Sequence, residues 1–423
     1  MWGETMSGPD IMSPEYEKNP NPFLHEMLEE HPIYFHEGLG HWIISRHADV
    51  ELALKSPVFT TKNYAWQLEP VHGKTILQVE GSDHRRMRAI INPALRGEDL
   101  RTKFVPVIDR CSQELIDTWS GDGQVDFVKA YTERFPVNVI TEMLGLDQKD
   151  EPIFYNWYKS IIAFFSNISG DEEIAAQGIR TRDELAEYMY PIIEERRANP
   201  GDDLLSTIVH ADIGGEKMDD YEIKCFVSFV LVAAAETTDK SMANMFLQLI
   251  QHPEQMQAVR EDRSLIRAAF AETLRHTPPV LMVMREPDED VEFQGVKIPA
   301  GSTVTAMCAA ANRDPRVFKD PDDFNIFRTD LNVEKAFGGG ANHMTFALGR
   351  HFCVGSILAM YEVERGTNQL LDAMEDIEFT SGEPPQEIGN FVRSPITMPI
   401  NFTPTGKSSI SNASISVGAL PSE

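Results

Sequence analysis

The sequence predicts a mainly α protein with a small β portion, and three observations lead to this fold class. Helix-period patterns dominate from residue 83 onward, and the longest of them covers residues 219–252. Strand-like alternation is confined to short stretches near the N-terminus, after residue 279 and near the C-terminus. No repeat, linker or composition shift interrupts residues 22–402, which favours a single domain over that span.

The predicted elements follow one another in a definite order. Strands are predicted at residues 33–35, 42–45, 280–284, 291–293, 297–298, 303–307 and 396–402. Helices are predicted over residues 24–30, 84–95, 101–120, 135–144, 153–165, 179–197, 219–252, 264–276 and 356–371. Residues 60–82 show little periodicity, and a loop of that length inside a compact protein tends to be functional.

Both ends of the chain differ from this core. Residues 1–21 are polar and rich in Pro and Gly, so an irregular N-terminal segment is predicted, without the apolar core of a signal peptide. Residues 403–423 are rich in Ser and Gly and lack a core pattern, which predicts a disordered C-terminal tail.

Composition excludes several classes of protein. The 38 basic and 66 acidic residues give a net charge of −28, which argues against a nucleic-acid partner. The four cysteines are scattered and contain no C-x-x-C pair, so neither a structural zinc site nor an oxidising compartment is indicated. Because no segment reaches the ~18 apolar residues of a membrane span, we expect a cytoplasmic protein.

One cysteine lies in a glycine-containing loop directly before a predicted helix. Cys353 follows Gly349 and precedes Gly355, and the helix is predicted to begin at Ser356. The free backbone N–H groups and dipole of a helix start lower the pKa of a thiol. From these residues alone the thiolate would face a soft metal or an electrophilic substrate, while a lone cysteine is more often simply buried.

Two further motifs carry chemistry. Glu272 and Arg275 have the E-x-x-R spacing, which lets two side chains pair on one helix face, although such pairs usually lie at the surface. Glu236 and Thr237 interrupt an apolar helix, where burying an acid and a hydroxyl is costly. The alternative for Thr237 is a hydroxyl bonded back to the carbonyl four residues earlier.

The cysteine loop matches the pattern F-x-x-G-x-x-x-C-x-G with Phe346, Gly349, Cys353 and Gly355. It resembles the haem-binding loop of the cytochrome P-450 family, and the resemblance extends over nearly the whole chain. It implies the cytochrome P-450 fold, a helical prism with haem between a long central helix and the Cys loop. It also implies a bound haem b (iron protoporphyrin IX), with Cys353 as the axial iron ligand and Phe346 and Gly349 in the cofactor-binding loop.

The same resemblance assigns roles to other polar residues. Four side chains at matching positions would hold the haem propionates, namely His84, Arg88, Arg285 and His351. Glu272, Arg275 and Arg328 would form a buried structural group behind the Cys loop. None of these three is assigned to catalysis.

Residues 233–238 resemble the oxygen-activation segment of the family. By this match Thr237 would hydrogen-bond dioxygen and Glu236 would relay protons to it from solvent. Ala234 stands where the family usually has glycine, and Ala347 replaces a common glycine of the Cys loop. Lys240 lies four residues after Glu236, and we hypothesise that it pairs with this acid and moderates proton delivery.

The predicted function is therefore that of a haem-thiolate monooxygenase. It would insert one oxygen atom of O2 into an apolar small-molecule substrate, by hydroxylation or epoxidation, with electrons from an external ferredoxin and an NAD(P)H-dependent ferredoxin reductase. Arg85, Arg86 and Arg350 are candidates for docking the acidic carrier. Residues 64–79 and the aromatic run at 154–165 are candidates for a lid over the substrate.

Three alternatives stay open on the sequence. A peroxide-using peroxygenase would usually lack the pair formed by Glu236 and Thr237. A non-redox haem-thiolate isomerase, sensor or ligand-binding protein would not depend on external electrons. A cysteine nucleophile without haem would need a base near Cys353, and His351 is held too closely within the loop to serve.

Overall fold

The structure is a computed structural model that describes residues 8–167 and 170–406, and in it the chain divides into two compact units. Unit 1 consists of the described parts of Met1–Thr60, Gln113–Thr132 and Lys240–Glu423. Unit 2 consists of those of Thr61–Ser112 and Glu133–Asp239. Neither unit is a contiguous stretch of sequence, since the chain leaves and re-enters each of them.

The strands of the described chain lie in unit 1. They are β1 (Ile33–His36), β2 (His41–Ile44), β3 (Phe59–Thr60), β4 (Gln124–Asp126), β5 (Val283–Pro287), β6 (Val291–Phe293), β7 (Val296–Ile298), β8 (Val304–Ala306), β9 (Met374–Phe379), β10 (Glu387–Ile388), β11 (Ser394–Pro395) and β12 (Pro399–Pro404). The largest sheet has the order β1-β2-β8-β5-β3, in which β2 and β8 run parallel and the other neighbours antiparallel. Strands β4, β12 and β9 form a second sheet, and β6–β7 and β10–β11 are hairpin pairs.

The helices of unit 1 flank these sheets along the chain. They are α1 (Pro14–Lys18), α2 (Asn21–Glu29), α3 (His47–Lys55), α12 (Pro253–Glu261), α13 (Ile266–His276), α14 (Cys308–Ala311) and α15 (Ser356–Ala373). Helix α13 ends at His276, two residues before Pro278, as the halt at Pro278-Pro279 predicts. Residues of β2, α3, β8 and the segment 344–348 share one hydrophobic core cluster, which fixes the base of the Cys353 loop.

Unit 2 is helical apart from an isolated bridge between Ile213 and Glu216. Its helices are α4 (Ala65–Leu68), α5 (Gly81–Arg96), α7 (Phe135–Met143), α8 (Glu151–Phe165), α9 (Glu172–Ala198) and α10 (Leu204–His210). Two helices cross the boundary between the units, α6 (Val105–Asp117) and α11 (Asp220–Gln251). Side-chain caps define two of the starts, since Asp171 accepts from the backbone of α9 and Asp203 from that of α10.

The termini differ in part from the prediction. The segment 1–21, predicted to be irregular, contains helix α1, because Ser13 caps its first turn and Tyr16 is fully buried. At the other end Thr403 and Pro404 complete strand β12. The rest of the tail prediction, residues 407–423, lies outside the described residues.

Candidate active site

The Cys353 loop folds back on itself before helix α15. A 3-10 turn at Gly349–His351 reverses the chain, and the Cys353 backbone N–H donates to the carbonyl of Phe346 at 2.9 Å. Helix α15 then begins at Ser356, with Gly355 at its N-cap position. The thiol is thus placed directly ahead of a helix N-terminus, as the sequence predicts, where N–H groups and the helix dipole favour a thiolate.

Two residues of the loop have left-handed backbone conformations. Gly349 has φ +71°, and a Cβ built there would lie 2.6 Å from the carbonyl oxygen of Leu54, so both the conformation and the close approach require glycine. Ala347 has φ +55°, a region that disfavours a side chain. The glycine that is common at this position in the family is therefore the residue the backbone suits better.

Cys353 is the cysteine best placed to bind a ligand. Its side chain is half-buried, whereas Cys111, Cys225 and Cys308 are buried. Burial raises the pKa of the Cys308 thiol to about 12 and also raises that of Cys225, so both stay protonated and inert. Of the four cysteines, only Cys353 combines access with a thiolate-favouring position.

The four basic residues predicted to bind the propionates are buried or half-buried, two in each unit. In unit 1, Arg285 is buried on strand β5, where its Nη1 donates to the carbonyl of Met284 at 2.8 Å, and His351 is half-buried at the end of the 3-10 turn. In unit 2, His84 is buried and Arg88 half-buried, one turn apart on helix α5. Buried or half-buried basic side chains suit the binding of anionic groups.

The structure brings Glu272, Arg275 and Arg328 together, as predicted. Arg275 Nε and Nη2 each donate to a carboxylate oxygen of Glu272 at 2.8 Å, and Arg328 Nε lies 2.9 Å from the same carboxylate. Glu272 and Arg275 have no exposed surface. The E-x-x-R pair is therefore a buried ion pair and not the surface pair that this spacing usually indicates.

Arg275 also holds distant backbone in place. Its guanidinium donates to the carbonyls of Asn312, Pro321 and Asp323 at 3.1, 2.7 and 3.1 Å. Asn312 in turn donates to Thr345 Oγ1 at 3.0 Å and accepts from the Met344 backbone at 2.7 Å. Through these bonds the buried pair supports the first residues of the Cys353 loop, which agrees with a structural role.

The Glu236–Thr237 segment lies in a short stretch of helix α11, residues 233–237, that is less buried than the residues on either side. Residues 225–228, 230–232 and 235 are buried, as their apolar pattern predicts. By contrast Ala233 is exposed, and Glu236 and Thr237 are half-buried. One face of the helix is therefore open at the predicted oxygen-activation segment.

The Thr237 hydroxyl donates to the carbonyl of Ala233 at 3.1 Å, four residues earlier. This is the back-bonded arrangement that the sequence left as an alternative. The bond uses the hydroxyl proton and leaves the oxygen free to accept from another donor on the open face. Helix α11 runs unbroken through Glu236 and Lys240, so the spacing behind their pairing holds and the pairing stays a prediction.

Two of the three candidate docking arginines are engaged locally. Arg86 lies 2.5 Å from a carboxylate oxygen of Glu222 and 3.6 Å from one of Glu216. Arg350 Nη2 donates to the carbonyls of Pro57 and Phe59 at 3.0 and 2.6 Å. Arg85 is exposed.

The aromatic run at 154–165, predicted as part of a lid, is divided between core and edge. Phe154, Trp157 and Tyr158 are buried in unit 2. Phe164 and Phe165 are half-buried. Phe154, Trp157 and Tyr158 are therefore core residues, whereas Phe164, Phe165 and the half-buried Tyr155 are accessible enough to border a ligand.

Sequence reasoning missed one polar residue in this part of unit 2. His72 is fully buried, and its Nδ1 lies 2.7 Å from Ser228 Oγ on helix α11. The only signal in the sequence was the length of the aperiodic stretch at 60–82 that contains it. No sequence motif includes His72, because the residues that contact it lie far from it along the chain.

The chemistry of this donor set fits a haem. The half-buried Cys353 thiol can hold haem iron, and in the same unit the buried Arg285 and the half-buried His351 would suit its propionates. Among the described residues, no group of three or more His, Cys, Asp and Glu side chains could hold a metal ion by itself. In the same part of the chain no helix is long and apolar enough to cross a membrane.

Comparison with known proteins identifies the family. The cytochrome P450 family model matches residues 16–397, and the chain belongs to this family. Its mainly helical fold with a small sheet portion is the fold of solved cytochrome P450 structures, and it is an oxidoreductase of the haem-dependent, bacterial type. The fold, cofactor and enzyme class predicted from the sequence are thereby confirmed.

The chain is similar to several proteins whose names indicate different reactions. Pulcherriminic acid synthase of Bacillus subtilis is 35% identical over 394 residues, which are 93% of this chain and 97% of that protein. Cyclomarin C epoxidase of Salinispora arenicola is 28% identical and covers 85% of this chain and 89% of its own. The crystal structure of CYP109E1 from Bacillus megaterium in complex with testosterone is 27% identical with a TM-score of 0.80, covering 90% of this chain and 99% of that one.

Proposed function

We propose that this P450 inserts one oxygen atom of O2 into an apolar small-molecule substrate of the natural-product or steroid type. The observation that carries the proposal is the open face of helix α11, where Ala233 is exposed and Glu236 and Thr237 are half-buried within an otherwise buried helix. An acid and a hydroxyl on such a face can pass protons to a reacting group. The relatives support the substrate range, since their names record a synthase, an epoxidase and a testosterone complex.

The proposed roles of the site residues follow from their positions. Cys353 would hold the haem iron through its thiolate, from its loop ahead of helix α15. His84, Arg88, Arg285 and His351 would hold the propionates, while Phe346 and Gly349 keep the loop in shape. When bound, haem supplies the redox chemistry that activates dioxygen. Glu236 would take up protons from solvent, and Thr237 would hold one at the open face of helix α11.

The electrons would come from a ferredoxin that an NAD(P)H-dependent reductase keeps reduced. We also propose that the enzyme acts in the cytoplasm, where its four cysteines, which form no disulfide with one another, would stay reduced. A reconstituted system of enzyme, ferredoxin and reductase tests the electron supply. Product formation that requires both partners supports the proposal, and equal turnover with hydrogen peroxide alone would favour the peroxygenase.

The acid–hydroxyl pair is tested by matched substitutions. Thr237→Ala removes the hydroxyl, and Glu236→Gln keeps the shape of the acid but not its proton affinity. Each is expected to slow product formation by about 10²-fold or more, because general acid catalysis typically contributes that much to a rate, and to lower the product formed per NAD(P)H consumed. Thr237→Ser keeps the hydroxyl and should retain most of the coupling. Unchanged coupling in both loss variants would contradict the proposed roles.

Substrate class can be approached by binding spectra. Useful probes are testosterone and pulcherriminic acid, the compounds named for the CYP109E1 complex and for the B. subtilis synthase. Tight, saturable spectral changes with either would define the class, and product analysis would then give the site of oxidation.

A further inference from the structure

A buried imidazole in the segment before helix α5 supports an inference about substrate recognition. His72 is fully buried, and its Nε2 has no hydrogen-bond partner among the described residues. Buried polar atoms in native proteins almost always have a partner, and each exception calls for an explanation. The side chain therefore has an unused polar atom in an apolar setting.

The rest of the imidazole is firmly held. Its Nδ1 lies 2.7 Å from Ser228 Oγ, and the ring packs against Phe165 and Phe229 with centroid distances of 5.3 and 5.7 Å. The backbone carbonyl of His72 accepts from Lys224 Nζ at 3.4 Å. The ring cannot turn without losing these contacts, so the direction of Nε2 is fixed.

The available hydrogen-bond donors and acceptors determine the tautomer of His72. A serine hydroxyl carries one proton, and Ser228 has no partner for it other than His72 among the residues that the structure describes. The Ser228 hydroxyl therefore donates to Nδ1, and the imidazole proton is on Nε2. Burial, together with the nearby Lys224 ammonium, lowers the pKa of His72 to about 3, so the ring is neutral. Nε2–H is thus an unused hydrogen-bond donor.

His72 packs against the same face of helix α11 that carries Thr237. Phe229, Ala233 and Thr237 are four residues apart on helix α11 and share one face, which is open at Ala233 and Thr237. His72 packs edge-to-face on Phe229, at the other end of that face. The eight residues from Phe229 to Thr237 span about 12 Å along the helix axis.

We propose that His72 determines substrate specificity by donating a hydrogen bond from Nε2 to an uncharged oxygen acceptor of the substrate. This rests on the proposed function, in which Thr237 marks the reacting end. The substrate class is then an elongated apolar molecule with a carbonyl or hydroxyl oxygen about 12 Å from the oxidised position. A cationic group at that end is excluded, because the N–H dipole and Lys224 both repel it.

A matched pair of probes tests the proposal, undecan-2-one and n-undecane, which differ in one carbonyl oxygen. Binding is measured by titrating the haem-loaded protein and following its absorption spectrum. Wild-type protein should bind the ketone about tenfold more tightly than the hydrocarbon, the usual worth of one hydrogen bond. His72→Phe keeps an aromatic ring and removes the donor, so it should reduce this ratio to about one.

Two further variants separate recognition from general damage. His72→Gln places an amide N–H near the former Nε2 and should keep most of the ketone preference. His210→Gln makes the same exchange at an exposed histidine and should leave the preference unchanged. Nitrogen-15 NMR of the ferrous carbon-monoxide form supplies an independent readout. It should show His72 with its proton on Nε2 and a shift of that N–H with the ketone only.

The proposal is overturned if Nε2 carries no proton, if wild-type protein binds both probes equally or binds neither, or if the preference survives in His72→Phe. None of these readouts needs ferredoxin or turnover. A failure of the proposed function would instead appear as the absence of product in the reconstituted system. The two failures are therefore distinguishable.

Discussion

At the scale of single residues, the Cys353 loop contains one position that its residue suits poorly. Ala347 adopts φ +55°, which costs a side-chain-bearing residue about 1–2 kcal/mol. Replacing it by glycine relieves that strain but adds about 0.4–1 kcal/mol of unfolded-state entropy. We expect Ala347→Gly to raise the free energy of unfolding by about 0.5 kcal/mol, measured by urea denaturation.

Gly349 provides the opposite case and serves as the control. It has φ +71°, and an added Cβ would meet the backbone oxygen of Leu54 at 2.6 Å. Gly349→Ala should therefore destabilise the protein by more than about 2 kcal/mol and impair haem retention. If both variants lost stability to the same extent, the loop conformation described for Ala347 would be wrong.

Contacts between residues close in sequence could be predicted from the sequence, whereas contacts between residues far apart in the chain could not. The pairing of Glu272 with Arg275 follows from spacing, since a helix places side chains three residues apart on one face. The burial of that pair and the role of Cys353 were implied only by the resemblance to the family. The contacts of His72 are instead with Ser228 and Phe229, more than 150 residues away along the chain. The back-bond of Thr237 was foreseen only as an alternative, because the local sequence permits both arrangements.

At the scale of elements, helix α13 is held to residues 312–328 by its buried pair, because Arg275 donates to backbone carbonyls there and Glu272 pairs with Arg328. Arg275→Ala would leave Glu272 buried with Arg328 as its remaining cationic partner and free the carbonyls that Arg275 binds. Breaking such a pair costs about 3–5 kcal/mol, so we expect a loss of that size in urea denaturation together with reduced haem incorporation.

An exposed pair gives the matched comparison. Arg180 lies 2.5 Å from Glu173, and both side chains are exposed. Arg180→Ala should change stability by less than about 1 kcal/mol, because solvent screens the pair. Equal effects of the two substitutions would contradict a special role for the buried group.

Element prediction succeeded where a segment carries its own pattern. Helices α5, α7, α8 and α11 agree with their predicted spans to within three residues at each end. Strand β9, Met374–Phe379, was missed because half of its residues are acidic and its alternation is weak. It forms because β12 supplies a partner, and a tertiary partner cannot be inferred from the segment alone.

At the scale of the whole molecule, buried histidines set a limit on acid stability. Burial lowers the pKa of His72 to about 3, of His343 to about 4 and of His276 well below its usual value. In the unfolded chain each titrates near pH 6.5, so the unfolded state binds protons first as the pH falls. Their stabilisation is complete above about pH 6.5 and is lost towards the folded pKa values.

Between about pH 7.5 and pH 5, His72 and His343 should therefore each cost about 2 kcal/mol of unfolding free energy, and His276 adds a loss in the same direction. Urea denaturation at the two pH values measures the loss. His72→Gln removes one titrating group and should reduce the loss by about one such share. His210→Gln, at an exposed position, should leave it unchanged, and an equal loss in all three proteins would disprove the assignment.

The net charge of −28 bears on electron supply, because an acidic carrier is repelled at long range and must dock through local cations. Arg86 is paired with Glu222, and Arg350 binds backbone carbonyls, whereas Arg85 is exposed on helix α5. We expect Arg85→Glu to slow the first reduction by an acidic ferredoxin about tenfold in 0.01 M salt. The difference should fade towards 1 M, since the screening length falls from about 30 to about 3 Å.

Stopped-flow reduction over a series of salt concentrations measures this effect. Lys297→Glu makes the same change of charge at an exposed position of the β6–β7 hairpin and is the control for net charge alone. If the two variants slow reduction equally, the long-range field of the molecule governs the encounter. If neither does, the carrier docks without help from Arg85. Only a larger, salt-sensitive loss in Arg85→Glu assigns the docking surface to the start of helix α5, because charge at a contact acts more strongly than charge at a distance.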